Sequence, residues 1–559
     1  PPGGITRFCD QIEAQDLRVN SLIIMHDGRK LVEVYRRPYD RRFPQLLFSL
    51  SNLFLSAAVG IACDSGFLSL EDRVVSFFPD KLPAEVSPYQ HEIRVRHLLS
   101  MNTGHHDHNF HVIHPQRDWV KAFLAIPPTH EPGTHYCYSK HASHVLAAIV
   151  ERTTGQSLVD FLRPRLFGPL GVTEVQWETS PTGVSAGGMG LSIPTEGVAR
   201  FGQMLLDRGV YDGHRLISEE YLDLATTKQS LSASDSPVVG YGYHVQLYHG
   251  GCFGHEGSFG QLCFVAPMER VVVAVTSAKS NFRQIAALIY RYLLGHVTEQ
   301  EQGQSSAVHG SDSERGVTAH CTANADLLPC MPGGVLAPSM HDRALSPLMP
   351  NDALGPLIPD DALTPPIPDG ALSPPIPDDA LSPLIPDDGW TATNCTPPFT
   401  RADIKVTDNS EGIQRVVLIQ SENRVRLEIV YQSRPAKVAE YGVVRPLYSS
   451  DVFVKDVSLH LQPVVRCARM CSATELELVS IYPETPYIAT YRMSFEGAAK
   501  ATIGYSVNVS LEKFSPASSQ GFELTGERVD EGRVDRKRAA EELANGQLAG
   551  EEQCRRGAG

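Results

Sequence analysis

Phe48-Ser49-Leu50-Ser51-Asn52-Leu53-Phe54-Leu55-Ser56-Ala57-Ala58-Val59-Gly60-Ile61-Ala62 is the stretch on which the fold turns. Leu53, Phe54, Ala57, Ala58, Ile61 and Ala62 recur at three- and four-residue intervals, the spacing of a buried helix. Ser49 falls at or just before the first turn of that helix. Free backbone N–H groups and the positive end of the helix dipole can stabilise an oxyanion there. Asn52 lies one turn further on and faces roughly the same side. A hydroxyl in this place has two readings: a helix N-cap, or a nucleophile. The rest of the chain has to decide between them.

Length and charge set the frame. A chain of 559 residues holds two or more domains and a large core. Apolar content of 42% and charged content of 20% are those of ordinary globular protein. The net charge is −15, and about half of it sits in residues 344–388, which carry eight Asp and no Lys or Arg. That acidity describes a linker. Nothing here favours nucleic acid as a partner, which would need a basic patch. No apolar run reaches the length of a membrane span, and the first residues lack the pattern of a signal peptide. The chain opens at Pro1 without Met, so a missing preceding segment is allowed for. Eleven Cys, an odd number without a C-x-x-C pair, argue against a zinc site or a disulfide framework. A reducing cytoplasm is the expected location. Asn394-Cys395-Thr396 and Asn508-Val509-Ser510 match the glycosylation triplet, which is common by chance.

Outward from the first helix, Ser21–Met25 and Lys30–Tyr35 flank Asp27-Gly28 and predict a hairpin. Gly66 stops the helix. Val95–His105 predicts a short helix ending in a turn. His105, His106, His108, His111 and His114 follow at irregular spacing; a solvated loop is the expectation, and no metal site is assigned. Helices are expected over Ser143–Thr154, Pro194–Asp207 and near Phe282–Leu294, with strands at Gly240–Val245, Leu262–Ala266 and Val271–Thr276. Strands at both ends with helices between predict an α+β unit over residues 1–297, its antiparallel sheet joining the two termini. Residues 298–388 predict a low-complexity linker. Its part at 344–388 has five nine-residue repeats such as Ala371-Leu372-Ser373-Pro374-Pro375-Ile376-Pro377-Asp378-Asp379, a semi-extended spacer. Residues 389–526 return to strand patterns and predict a small β-rich C-terminal domain. A charged tail follows from 527 to 559. The spacer and the β-rich domain are the places where a protein partner would bind.

Seven elements now stand in order: Phe48–Asn52, Val95–His105, Pro132–Tyr138, Thr154-Gly155-Gln156, Leu162–Val172, Gly187–Leu191 and His255-Glu256-Gly257. Together they resemble the class C β-lactamase-like serine hydrolases, the group that includes penicillin-binding-protein-like esterases and peptidases. The resemblance spans about residues 4–296. It implies that Ser49 attacks a carbonyl and forms an acyl-enzyme, and that Tyr138 shuttles the proton. It implies an oxyanion hole built from the backbone N–H groups of Ser49 and Ser258. His255 and Gly257 stand where relatives carry K-T-G, and His255 would supply a donor or partial positive charge near the substrate; a surface-loop His is the other reading. The implied substrate is a small ester, amide or D-residue peptide, and the implied mechanism needs no cofactor.

Two positions depart from the family pattern. Asn52 replaces the Lys of S-x-x-K, whose amine helps activate the Ser. Lys140 replaces the Asn of Y-x-N. The same two residue types are exchanged, so Lys140 is expected to supply from the other side the amine lost at position 52. The competing expectation is a catalytically impaired relative with a binding role, because a Ser hydroxyl without an activating base is a weak nucleophile.

Overall fold

The predicted apolar helix is buried on every side. In the computed structural model, which describes residues 2–231, 238–279, 282–295, 399–407, 409, 411–421, 423–496, 500–509 and 522–528, α2 (Ser51–Asp64) has each residue from Ser51 to Ala62 buried. Phe54 stacks on Phe201 at 4.1 Å between ring centroids and on Phe167 at 6.2 Å. The absence of a side chain at Gly60 lets the Tyr221 ring lie against the helix, since a Cβ would come within 2.6 Å of it. Tyr221 in turn donates to the Ser56 carbonyl at 2.9 Å.

The first half is built around one sheet. α1 (Pro2–Ala14), β1 (Val19–His26) and β2 (Arg29–Tyr35) precede α2; α3 (Lys140–Thr154) and α4 (Thr195–Leu206) follow it. Then come β3 (Val238–Tyr241), β4 (Gln246–Tyr248), β5 (Phe253–Gly257), β6 (Gln261–Ala266), β7 (Val271–Ser277) and α5 (Phe282–Leu288). The seven strands run antiparallel in the order β2-β1-β7-β6-β5-β4-β3. The strands from the two ends of the unit, β1 and β7, therefore pair side by side, as the sequence predicts. Asp27 and Gly28 both take positive φ, +48° and +74°, the conformation of a tight hairpin turn. The Val271–Val275 run is apolar throughout because both faces are covered. Ile24, Phe264 and Val273 pack toward Phe8 of α1 and Ile285 of α5. Ile23, Cys263, Val265 and Ala274 pack toward α2 and α4.

Some boundaries differ from expectation. α3 starts at Lys140, before the expected Ser143, because the Ser139 hydroxyl accepts from the Ala142 N–H and caps it. The expected strand at Gly240–Val245 divides into β3 and β4 around a turn closed by Gly242 N–H donating to the Val245 carbonyl at 2.8 Å. The expected helix near Phe282–Leu294 is α5 followed by a wider turn at Ile289–Leu293.

The C-terminal part is all strand: β8 (Arg401–Val406), β9 (Ile413–Ser421), β10 (Arg424–Tyr431), β11 (Lys437–Gly442), β12 (Leu447–Val454), β13 (Leu459–Met470), β14 (Glu475–Ile481), β15 (Ile488–Glu496), β16 (Lys500–Val507) and β17 (Phe522–Arg528). They form a ten-stranded sheet, β11-β10-β9-β8-β17-β16-β15-β14-β13-β12, and a bridge between Gly442 and Cys467 curls β11 back onto β13. Alternate residues such as Val416, Leu418, Leu427, Ile429, Leu478 and Met493 fill its interior. Glu527 and Arg528, expected in the tail, belong to the last strand. The expected linker at 298–388, its repeats, and residues 529–559 lie outside the described residues. Among the described residues no helix is long and apolar enough to cross a membrane.

Because Phe54 is wholly enclosed, Phe54→Ala is expected to destabilise the protein by about 3–5 kcal/mol. Urea denaturation followed by tryptophan fluorescence measures it; a loss below about 1 kcal/mol means the helix is not the core of this unit.

Candidate active site

The turn Phe48–Leu50 feeds directly into α2. Phe48 has φ +50°, an uncommon conformation for a bulky residue. Its ring is held on two sides, edge-on to Phe259 at 5.2 Å and to Tyr487 at 6.4 Å. Ser49, next in the chain, is half-buried. The left-handed turn thus lifts the hydroxyl out of a buried element.

Asn52, fully buried, joins three segments. Its Nδ2 donates to the Ser49 carbonyl and to the Tyr138 hydroxyl, both at 2.9 Å. Its Oδ1 accepts from the Ser143 hydroxyl at 2.8 Å. Both amide hydrogens are therefore engaged. A Cβ at residue 188 would come within 2.3 Å of Asn52 Oδ1, so Gly188 is what allows the Gly187–Leu191 turn to close over this amide.

Tyr138 accepts from Asn52 Nδ2, and the Ser49 side chain lies close enough to its hydroxyl to act on its proton. Burial pushes its phenol up to about 12, these two side chains oppose the rise, and the Asp456 and Glu256 carboxylates add to it. Among the described residues, the main influences on it are burial, two polar side chains and two carboxylates, without the lysine that S-x-x-K places at position 52. The segment is fixed by Cys137 N–H donating to the Met101 carbonyl at 2.8 Å.

Lys140 is placed elsewhere. Its Nζ lies 5.4 Å from the centroid of the Phe110 ring. Burial, and then neighbouring charges with Lys140 among them, hold His114 and His141 below the ordinary imidazole range. The exchanged amine is thus on the Phe110–His114 side, and Ser143, one helical turn along α3, meets Asn52 instead. Which of the two residues meets Asn52 follows from the start of α3 at Lys140, set by the Ser139 cap.

His255 is only 1% exposed, on β5. Its Nδ1 lies 2.6 Å from the Glu256 carbonyl, which can only accept, so Nδ1 carries the proton. Nε2 then accepts from the Tyr241 hydroxyl at 3.3 Å. Burial lowers its pKa to about 4. A neutral His with both nitrogens engaged offers neither positive charge nor a free donor, and its burial takes it out of a surface loop; it lies against Tyr241 and the Glu256 carbonyl. Gly257 contributes by what it lacks: a Cβ there would strike the Leu47 carbonyl at 2.1 Å, so glycine lets the nucleophile turn approach β5. Ser258 opens the next turn, where Gln261 Nε2 donates to the carbonyls of Ser258 at 3.1 Å and Ser277 at 2.9 Å. The Phe48–Phe259 contact packs that turn beside Ser49.

One side of the site comes from the β-rich part, which the sequence did not connect to it. Phe48 and Leu46 share a core cluster with Val464, Tyr482, Tyr487 and Val509. Gln45 donates to the Pro483 carbonyl at 2.6 Å, and Leu46 N–H to the Glu484 carbonyl at 2.9 Å. Glu178 accepts from the N–H groups of Asp456, Val457 and Ser458 at 2.8–3.2 Å, and lies 2.8 Å from His460. Asp456 Oδ2 accepts from Gly190 N–H at 3.0 Å.

Glu256 is the other group missed. Burial raises its carboxyl to about 7, with Gln246 and Arg283 opposing. The folded protein therefore holds this proton more tightly than an unfolded chain, whose value is 4.5. Stability from this group is full below the unfolded value and is lost as pH rises through the folded one. Glu256→Gln is expected to flatten that decline between pH 5 and pH 8 in urea denaturation; an unchanged pH slope refutes the assignment.

Comparison with known proteins shows the family. "Penicillin-binding protein 4*" of Bacillus subtilis is 29% identical over 140 residues, 23% of this chain and 30% of that protein. "Lovastatin esterase" of Penicillium rubens is 24% identical over 253 residues, 38% of this chain and 60% of that protein. "6-aminohexanoate-dimer hydrolase" of Paenarthrobacter ureafaciens is 24% identical over 222 residues, 36% and 56% of the two chains. The chain spans about a third of the length of the first curated relatives it matches. A family model described as Beta-lactamase matches residues 6–296, more than half of the 559, and the chain belongs to the beta-lactamase family.

Proposed function

We propose that this protein is a serine hydrolase that acylates Ser49 with a small ester or amide, using Tyr138 as proton acceptor and Asn52 as a neutral anchor in place of the family lysine. The observation that carries this reading is the Asn52 amide, which joins the Ser49 carbonyl to the Tyr138 hydroxyl and so sets half-buried Ser49 beside Tyr138. In the reaction Ser49 Oγ attacks the carbonyl carbon while its proton passes to Tyr138. The alkoxide that forms on the substrate is stabilised by the N–H groups of Ser49 and Ser258, donors of a kind that contribute about 2.7–4 kcal/mol each. Tyr138 then protonates the leaving group, and water repeats the cycle on the acyl-enzyme. Relatives named for an ester and an amide substrate support that class.

Base strength is the weak point. Burial holds the Tyr138 phenol well above neutral pH, so little of it is ionised at pH 7. This favours slow turnover that climbs with pH. It also supports the second reading, a family member that binds substrate or partner without turning it over.

Hydrolysis of a short-chain p-nitrophenyl ester against pH separates the two. Turnover that rises from pH 7 to pH 10 and vanishes in Ser49→Ala is expected. An ammonium within about 4–6 Å lowers a neighbouring acid by 1–3 pKa units. Asn52→Lys should therefore raise the rate at pH 7 by about tenfold or more and move the profile to lower pH. No turnover above Ser49→Ala in folded protein, together with no covalent labelling of Ser49 by a serine-directed phosphonate, would establish the binding role.

A further inference from the structure

His106, His130 and His135 come from separated parts of the sequence and meet in one place. Their ligand-capable ring nitrogens all lie within 4.8 Å of one another, and they are the convergent group of His, Cys, Asp or Glu among the described residues. The rings form a near-parallel stack: His130 on His135 at 4.3 Å between centroids, with His106 at 5.8 Å and 5.9 Å from them. Three basic rings face one another here without a carboxylate in the group. Asp107, beside His106, sits with His108 instead, at 3.5 Å.

The backbone holds the two segments together before any ligand arrives. His130 and Thr129 N–H groups both donate to the Gly104 carbonyl, at 2.9 and 3.0 Å. Gly133 N–H donates to the Asn102 carbonyl at 2.7 Å. Gly104 has φ +86°, and a Cβ there would lie 2.2 Å from the His130 carbonyl, so the clasp requires glycine. The Thr129 hydroxyl lies 3.1 Å from His130 Nδ1, leaving Nε2 to ligate.

We propose that His106, His130 and His135 bind a divalent zinc ion. An all-imidazole set suits zinc among the abundant divalent metals. Three protein ligands with a fourth position open to solvent form a recurrent tetrahedral arrangement. Bonds of about 2.0–2.1 Å place tetrahedral ligand nitrogens about 3.3 Å apart. The rings reach that spacing by rotating out of their stack, which exposed His106 and half-buried His130 and His135 leave room for. The ion would pin 104–106 to 130–135 and thereby fix the strand of chain that continues into Tyr138.

The test uses the untagged full chain, stripped with chelator and titrated with zinc chloride at pH 7.5 by calorimetry. One tight equivalent is expected, together with a rise in melting temperature. Cobalt(II) at the same site should give the visible absorption of a tetrahedral centre. His130→Asn and His135→Asn should each weaken that equivalent by tenfold or more. His106→Gln, at an exposed position where folding is not at stake, should do the same. The double variant His108→Asn/His111→Asn should keep it. An absent equivalent in the unmodified chain overturns the site. So does an equivalent that survives the three site variants, or one that is lost equally in the double variant.

Discussion

A neutral amide at Asn52 is the constraint around which this site is arranged. Its two hydrogens run to the Ser49 carbonyl and the Tyr138 hydroxyl, and its oxygen takes the Ser143 hydroxyl. These bonds fix the nucleophile turn, α3 and the Tyr138 segment to one another. An ammonium in the same place would add charge to that geometry; the amide supplies the geometry alone. The consequence is electrostatic. Tyr138 feels burial and the fields of Asp456 and Glu256 without the ammonium that a lysine at 52 would bring. Position and proton affinity, which one lysine couples in S-x-x-K, are uncoupled here.

Much of the fold was legible in the sequence because its signals are local. The period of Leu53 to Ala62, the Asp27-Gly28 turn and the apolar run at Val271 each report on their own few neighbours, and their order along the chain gave the family. The site was legible where it lies within one such signal, Ser49 before its helix; Tyr138 came from the family resemblance, and its contact with Asn52 spans 86 residues. It was not legible where partners are set by distance in space. Lys140 and Ser143 are both on α3, and which of them meets Asn52 depends on where the helix begins. That in turn depends on the Ser139 cap, a single hydrogen bond. For His255 the sequence allows a donor facing substrate or a surface-loop residue; its burial comes from strand pairing with Cys263 and from Tyr241.

The β-rich part enters the same argument through contacts hundreds of residues apart. The turn that presents Ser49 begins with Phe48 in a left-handed conformation, which an isolated chain would not hold for a residue of that size. Tyr487 and Phe259 close on the Phe48 ring, and Tyr487 is itself held by donating to the Lys455 carbonyl at 2.6 Å. The Lys455–Glu484 ion pair, almost wholly buried, is satisfied further by Gln176 at 3.0 Å. Breaking a buried pair of this kind leaves an uncompensated charge, so the hairpin between β12 and β13 is committed to its seat. The β-rich part is therefore a wall of the site, and the strain at Phe48 is sustained from there.

Nucleophile and proton acceptor thus rest on different supports. Ser49 is held through Phe48 by the aromatic cluster that includes Tyr487. Tyr138 is held through Cys137 by Met101 and by the clasp of 102–104 on 129–133. The side chain that bridges the two is Asn52. A hydrogen bond weakens steeply with misalignment, and a shift of about 1 Å between reacting groups is enough to lower a rate by two orders of magnitude. Either support can therefore set the activity of this site without touching the substrate, and the amide at 52 is where the two adjustments meet.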